Sequence, residues 1–364
     1  MRRSSFVRRW LRVFRKMFHR RDVQLIDCPV SGGTKRAAEG SLTVLSSGPA
    51  DALLIAQPIL ESMSANLFEI EGGLGAANKV KLINQHLAGI HIAASAEAMG
   101  LAATLGLNSK EVYEIVLKSP AHSWMFEDRV LHMLVDDWTP HSALKIFVKD
   151  MRIVTSEGLL QNFPLYMATA TERLYQFASR IGYGEEDDSG LVRIFLAQSP
   201  SLVSAAVQNQ RYVPENAWAC DLICQLLEIV HTLAAIEALA LGQALSLSIS
   251  NLVQIIGNAA DTSKPFIRVT EALGGTSAPR DTVEHLRHKL YFASAVTTSC
   301  GLWHGRRRRS STIQAVDYFN YDSRTITYHK IPVHITLQKD HKLVILDDYP
   351  TGNAKCNYIN VQHE

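Results

Sequence analysis

Apolar positions recur along this chain with two different periods. From residue 23 to 70 they come in short runs broken by glycine, proline and serine. VQLIDCPV and SLTVLSS read as strands, and FEI as a short strand ahead of Gly72 and Gly73. Between them ADALLIAQPILESMSA carries apolar residues at helical spacing, opened by Ala50 and Asp51. From Gly75 onward the helical period takes over. Ala76 to Leu105 is rich in Ala, Leu and Ile and holds no proline, which predicts one long buried helix. More helices are predicted near 109–118, 124–135, 141–157 and 165–181. The stretch GYGEEDDSG, residues 182–190, is charged and glycine-bearing and predicts a break between domains.

The helical pattern repeats. KLINQHLAGIHIAASAEAMGLAATLGL (81–107) and DLICQLLEIVHTLAAIEALALGQALSL (221–247) align at a shift of 140 residues. Leu82, Ile83, Gln85, Leu87, His91, Ala94, Glu97, Ala98 and Leu101 all recur, and the polar members are not explained by shared helix composition. The match extends weakly to Phe126 and Phe266. Two key positions differ: Lys81 becomes Asp221 and Asn84 becomes Cys224, so chemistry that needs an amine is confined to the first copy.

Composition narrows the class. The chain has 364 residues, enough for two or three domains with a sizeable core. Its net charge of +2 points to no nucleic-acid partner. Cys28, Cys220, Cys224, Cys300 and Cys356 are few and scattered, which reads as a reduced, cytoplasmic chain without a disulfide framework. Cys220 and Cys224 lack a second Cys/His pair at zinc spacing, so no metal is expected. The runs 87–107 and 229–249 are long enough to span a bilayer, but the first holds His91 and Glu97 and the second His231, Glu237 and Gln243. Buried helices are the better reading, and no membrane span is expected. The first 21 residues, MRRSSFVRRWLRVFRKMFHRR, are basic, with Trp10, Leu11, Phe14 and Phe18 able to share a helical face. A mitochondrial presequence and a membrane-surface helix are alternatives here to a solvated helix, which is preferred. HGRRRRSSTIQ (304–314) reads as a solvated linker.

DCPVSGGTKRAAEGSLTVLSSG, followed by GLGAANKVKLINQ, resembles the β-hydroxyacid dehydrogenase family, which includes 3-hydroxyisobutyrate and 6-phosphogluconate dehydrogenases. SPAHSWMFEDRV and WTPHSALKIFVKDMRIV are most similar to its L-threonate dehydrogenase branch. The resemblance covers roughly residues 23–185, and more weakly 215–300. It implies an oxidoreductase using NAD or NADP on threonate or a similar four-carbon hydroxy acid. It also implies a homodimer formed through helical domains. Oxidising a secondary alcohol requires a group that takes the hydroxyl proton while hydride leaves for the nicotinamide. Lys81 matches the family's lysine for that role. A free lysine titrates near ~10.4; burial, nearby Lys79 and an oxidised nicotinamide are expected to lower Lys81. Ser31, Gly32 and Gly33 match the loop that holds the substrate carboxylate: glycines let the backbone approach and the serine adds a donor. Asn84 and Gln85 sit one turn past Lys81, and the resemblance implies that one of them binds substrate. Lys149 matches the lysine that closes over the cofactor.

One expected part is missing. No Gly-x-Gly-x-x-Gly phosphate loop occurs, and the near match GGLGAA (72–77) belongs to the family's hinge into the helical domain. At the other end, VILDDYPTGNAKCNYI resembles the opening strand and loop of four-carbon acid-sugar kinases. Only 16 residues follow Asp348 (364 − 348), too few for a nucleotide-binding domain.

The expected fold is mainly α with a truncated α/β part. It comprises a basic segment (1–22), the remnant of a Rossmann-type domain (23–72), two 6-phosphogluconate-dehydrogenase-like all-α domains (73–190 and a degenerate 191–303), and a linker with a kinase-like stub (304–364). The rival reading is an inactive dimerisation or interaction module, or a fragment of a dehydrogenase–kinase fusion.

Overall fold

The computed structural model describes residues 24–196, 198–209, 217–257 and 262–274. In the C-terminal part it describes only the strands 316–322, 325–331, 333–337, 343–347 and 357–359. The basic segment 1–22, the linker 304–314 and the loop after Asp347 lie outside the described residues. The chain divides into two compact units, Met1–Leu286 and Arg287–Glu364.

The first unit opens with a small sheet. Strands β1 (Val30–Ser31), β2 (Leu42–Ser46) and β3 (Ser64–Glu69) lie in that order. Val30 faces Val44 across an antiparallel pair, and Val44 faces Leu67 across a parallel one. Every residue of central β2 is buried, as an apolar strand covered on both faces should be. The helix α2 (Ala50–Ser62) makes the crossover from β2 to β3. The strand expected over VQLIDCPV is reduced to β1 and one bridge, Asp27 to Ser47. Pro29 lies between them and has no N–H to give a ladder; its carbonyl accepts from Leu45 N at 3.0 Å. After Gly32 the chain forms a short helix, α1 (Gly33–Ala38).

The α-helices among the described residues that follow are α3 (Ala76–Thr104), α4 (Ser109–Lys118), α5 (Trp124–Met133), α6 (Leu144–Gln161), α7 (Tyr166–Arg180), α8 (Leu202–Ala205), α9 (Ala217–Ala244), α10 (Ile249–Gly257) and α11 (Lys264–Gly274). At 29 residues, α3 runs about 44 Å. It is apolar all round and forms the axis of the unit, with α5, α6, α7 and α9 packed against it. Small residues permit the close crossings. A Cβ on Gly89 would lie 2.4 Å from Met151 Sδ of α6. Tyr175 of α7 donates its hydroxyl to Gly89 O at 3.0 Å. Both α3 and α9 are long and apolar enough to cross a membrane, yet 89% and 56% of their apolar windows are buried inside the protein.

Residues 182–190 are not an exposed break. Tyr183–Glu185 and Asp188–Ile194 form 3-10 turns, and the second lies against α3. Asp187 and Asp188 are wholly buried. Asp188 accepts from Arg129 Nε at 2.6 Å and Nη2 at 3.3 Å; Asp187 accepts from the backbone of His141 and Ser189. Burial pushes the Asp188 carboxyl up, and the guanidinium beside it pulls the other way. These acids read as a hydrophilic loop in sequence; their partners, some 45 to 60 residues earlier, bring them inside.

In the second unit, β4 (Val316–Asp322) and β5 (Thr325–Ile331) form an antiparallel pair. β7 (Leu343–Asp347) lies between β6 (Val333–Leu337) and β8 (Asn357–Ile359), antiparallel to both.

Candidate active site

Ser31 ends β1, and the two glycines after it turn the chain. Gly32 has φ +133° and Gly33 φ +64°, backbone regions that side chains disfavour. A Cβ on Gly32 would also lie 2.8 Å from Arg36 Cβ and 3.2 Å from Leu42 Cδ2. Three more left-handed glycines, Gly72, Gly73 and Gly75, carry the chain from β3 into α3.

The first turn of α3 has orphan N–H groups that need acceptors. Asp27 and Ser47, joined across the β-bridge, supply them. Asp27 Oδ2 accepts from Asn78 N at 3.0 Å, and Ser47 Oγ accepts from Ala77 N at 3.0 Å. The Asn78 side chain donates to the other oxygen of Asp27. Burial raises the Asp27 carboxyl, opposed by these donors. The strand leading to Ser31 is thus tied to the helix carrying Lys81.

The consequence is a direct contact. Lys81 Nζ donates to Ser31 Oγ at 3.2 Å, across 50 residues of sequence, with both side chains half-buried. Farther along α3, Gln85 Nε2 donates to Asp150 Oδ2 at 2.6 Å, and Lys149 Nζ pairs with Asp150 Oδ1 at 2.9 Å. Asp150 is buried, whereas the Lys149 side chain is 65% exposed. Gln85 is therefore held by α6, while neighbouring Asn84 is buried with its Nδ2 unpartnered. A buried amide donor without an acceptor is uncommon, and distinguishes Asn84 from Gln85 as the one with hydrogen-bonding capacity to spare. Lys79, expected to act on Lys81 through its charge, directs Nζ to the Leu245 carbonyl at 2.9 Å, just past the end of α9.

Ser31, Gly32, Gly33 and Lys81 thus form one group. Gln85 and Lys149 form a second, joined through Asp150, with Asn84 between them on α3. Sequence reasoning missed Asp27, Ser47, Asn78 and Asp150. An acid closing the apolar run VQLID was the one available signal, since an acid in such a run needs a partner.

Residues 75–195 match the family model described as the NAD-binding of NADP-dependent 3-hydroxyisobutyrate dehydrogenase, and residues 7–72 match the NAD-binding domain of 6-phosphogluconate dehydrogenase. The second match reaches back into the segment read as a separate basic stretch. The L-threonate dehydrogenase of Cupriavidus necator is 44% identical over 171 residues, 47% of this chain and 58% of the relative. The chain thus spans less than two thirds of the length of that relative. A 3-hydroxyisobutyrate dehydrogenase structure from Salmonella typhimurium is 40% identical, with TM-score 0.48, covering 50% of this chain and 64% of that one. The 6-phosphogluconate dehydrogenase of Plasmodium falciparum shares the fold at 15% identity and TM-score 0.54, covering 79% of this chain and 66% of that one. Two family models match in chain order and an L-threonate dehydrogenase is among the relatives, so residues 7–195 resemble the β-hydroxyacid dehydrogenase family.

Proposed function

We propose that this chain carries the substrate and proton-transfer half of an NAD(P)-dependent oxidoreductase that acts on threonate or a similar four-carbon hydroxy acid. The observation that supports the reading is the 3.2 Å contact between Lys81 and Ser31, which brings together the motif proposed to hold the carboxylate and the one proposed to take the proton. Ser31 and the Gly32–Gly33 backbone hold the carboxylate. Asn84 offers its unpartnered amide to a substrate hydroxyl. Lys81, in its neutral form, takes the hydroxyl proton as the carbon gives up hydride.

The fit to a dinucleotide is partial. Lys149, exposed and steadied by Asp150, suits a contact with an anionic cofactor. The pyrophosphate contacts are assigned to no residue here, because the sequence has no Gly-x-Gly-x-x-Gly. The cofactor, when bound, supplies the hydride acceptor.

The test is calorimetric titration of the purified chain with NAD and with NADP, each with D- or L-threonate present, followed by turnover assays of the parent and of Lys81→Ala. Binding, together with Lys81-dependent turnover, is expected. Absence of cofactor binding at millimolar concentration would overturn the enzyme reading for this chain and leave a pairing module.

A further inference from the structure

Residues 140 apart in sequence meet each other in space. The rings of His91 and His231 touch edge-on, with centroids 4.4 Å apart. Ser123 and Ser263 face each other in an antiparallel bridge. Around that bridge the hydrogen bonds are reciprocal: Trp124 N donates to Thr262 O at 3.1 Å, and Lys264 N donates to His122 O at 2.9 Å. Each bond is the other with 140 added to one residue and taken from its partner.

The local structure repeats too. Ser123 caps its helix through Phe126 N at 3.2 Å, and Ser263 caps its own through Phe266 N at 3.2 Å. α3 is followed by a left-handed residue, Gly106 at φ +77°, and α9 by Ser246 at φ +59°. When position i meets its own equivalent, and neighbours exchange contacts reciprocally, the pair is related by a two-fold axis. That pattern normally arises between two copies of one chain; here both members belong to the same chain.

We infer that residues 217–274 serve as a built-in partner subunit: they occupy, within the chain, the face of the helical half 76–133 that a second copy would otherwise cover. The contacts that this partner supplies reach toward the candidate site. Leu245 O receives Lys79 Nζ, two residues before Lys81. Glu237 bonds the fully buried His86 at 2.8 Å and accepts from Met167 N and Ala168 N at 3.0 Å each, closing the first turn of α7. The second half has Asp221 where the first has Lys81, so the pair holds one amine rather than two. This pairing does not depend on the oxidoreductase reading.

Facing residues in an antiparallel pair have Cα separations of about 4.5–5.5 Å, within the range a disulfide spans. The full chain carrying Ser123→Cys with Ser263→Cys is therefore oxidised, with the parent run alongside to account for the native cysteines. An internal cross-link is expected, and an equal mixture of the two single variants is expected to give no linked dimer. A linked dimer in the mixture would overturn the inference, as would failure of a folded double variant to cross-link. Should the substitutions unfold the chain, amide exchange of the unmodified protein decides. Protection over residues 87–94 and 227–235 is expected to hold through successive dilutions, and protection that falls on dilution would overturn the inference.

Discussion

Lys81 is held by a hydroxyl, and the hydroxyl is held by a backbone that only glycine readily allows. Replacing Lys81 with Ala removes the proposed proton acceptor while leaving the proposed cofactor contact of Lys149 alone. Turnover is expected to fall by about 10²–10⁴-fold, with the cofactor Kd unchanged by titration. Asp27 acts earlier in the chain of causes. Asp27→Ala strips two acceptor atoms from the start of α3 and leaves the half-buried Asn78 amide without its partner. A loss of about 1–3 kcal/mol is expected in urea unfolding. Catalytic loss in that variant should exceed any loss of cofactor binding, because the helix start sets the distance from Lys81 to Ser31.

Among the elements, α3 fixes the positions of the others, and its weak points are its crossings. Gly89→Val would place a branched side chain against Met151 and Phe147, at an expected cost of about 1–3 kcal/mol by thermal or urea unfolding. Arg129→Met should cost more, about 3–5 kcal/mol, because it leaves the buried Asp188 without its cation. Legibility in the sequence follows how local the causes are. The α3 helix was plain from residues 76–104 because an unbroken apolar run without proline has few alternatives. Ser31 and Lys81 stood out because each is embedded in its own short motif, and the fold brings the two side chains into contact. The β1 strand came out shorter than its apolar pattern suggested because Pro29 has no N–H to donate to the ladder. The burial of Asp187 and Asp188 was illegible because it depends on His141 and Arg129, far earlier in the chain, and the role of Asp27 because its partner lies 51 residues away.

At the scale of the whole helical unit, acid is a predicted weakness. His231 is fully buried; loss of hydration lowers it to about 4 from an ordinary 6.5, partly offset by its hydrogen bond to the Ala121 carbonyl. His91 is lowered too, by burial and by His231 and His86 nearby. A histidine that resists protonation when folded takes up protons more readily unfolded. Its stabilisation is therefore intact above pH 6.5 and drains away as pH falls toward 4. His231 alone should account for about 2 kcal/mol between neutral pH and pH 5. Urea midpoints at the two pH values would show it, and His231→Gln should flatten the difference. The junction at which these rings meet also bears on how the chain can change over time. Two identical copies must carry every substitution twice, once on each side of their axis, so neither can lose a catalytic group without the other. Covalent linkage removes that constraint and also keeps the halves together at any dilution. Lys81 on one side and Asp221 on the other fit that freedom: the half proposed to carry the chemistry keeps its amine, and its companion can drift as long as it still fits.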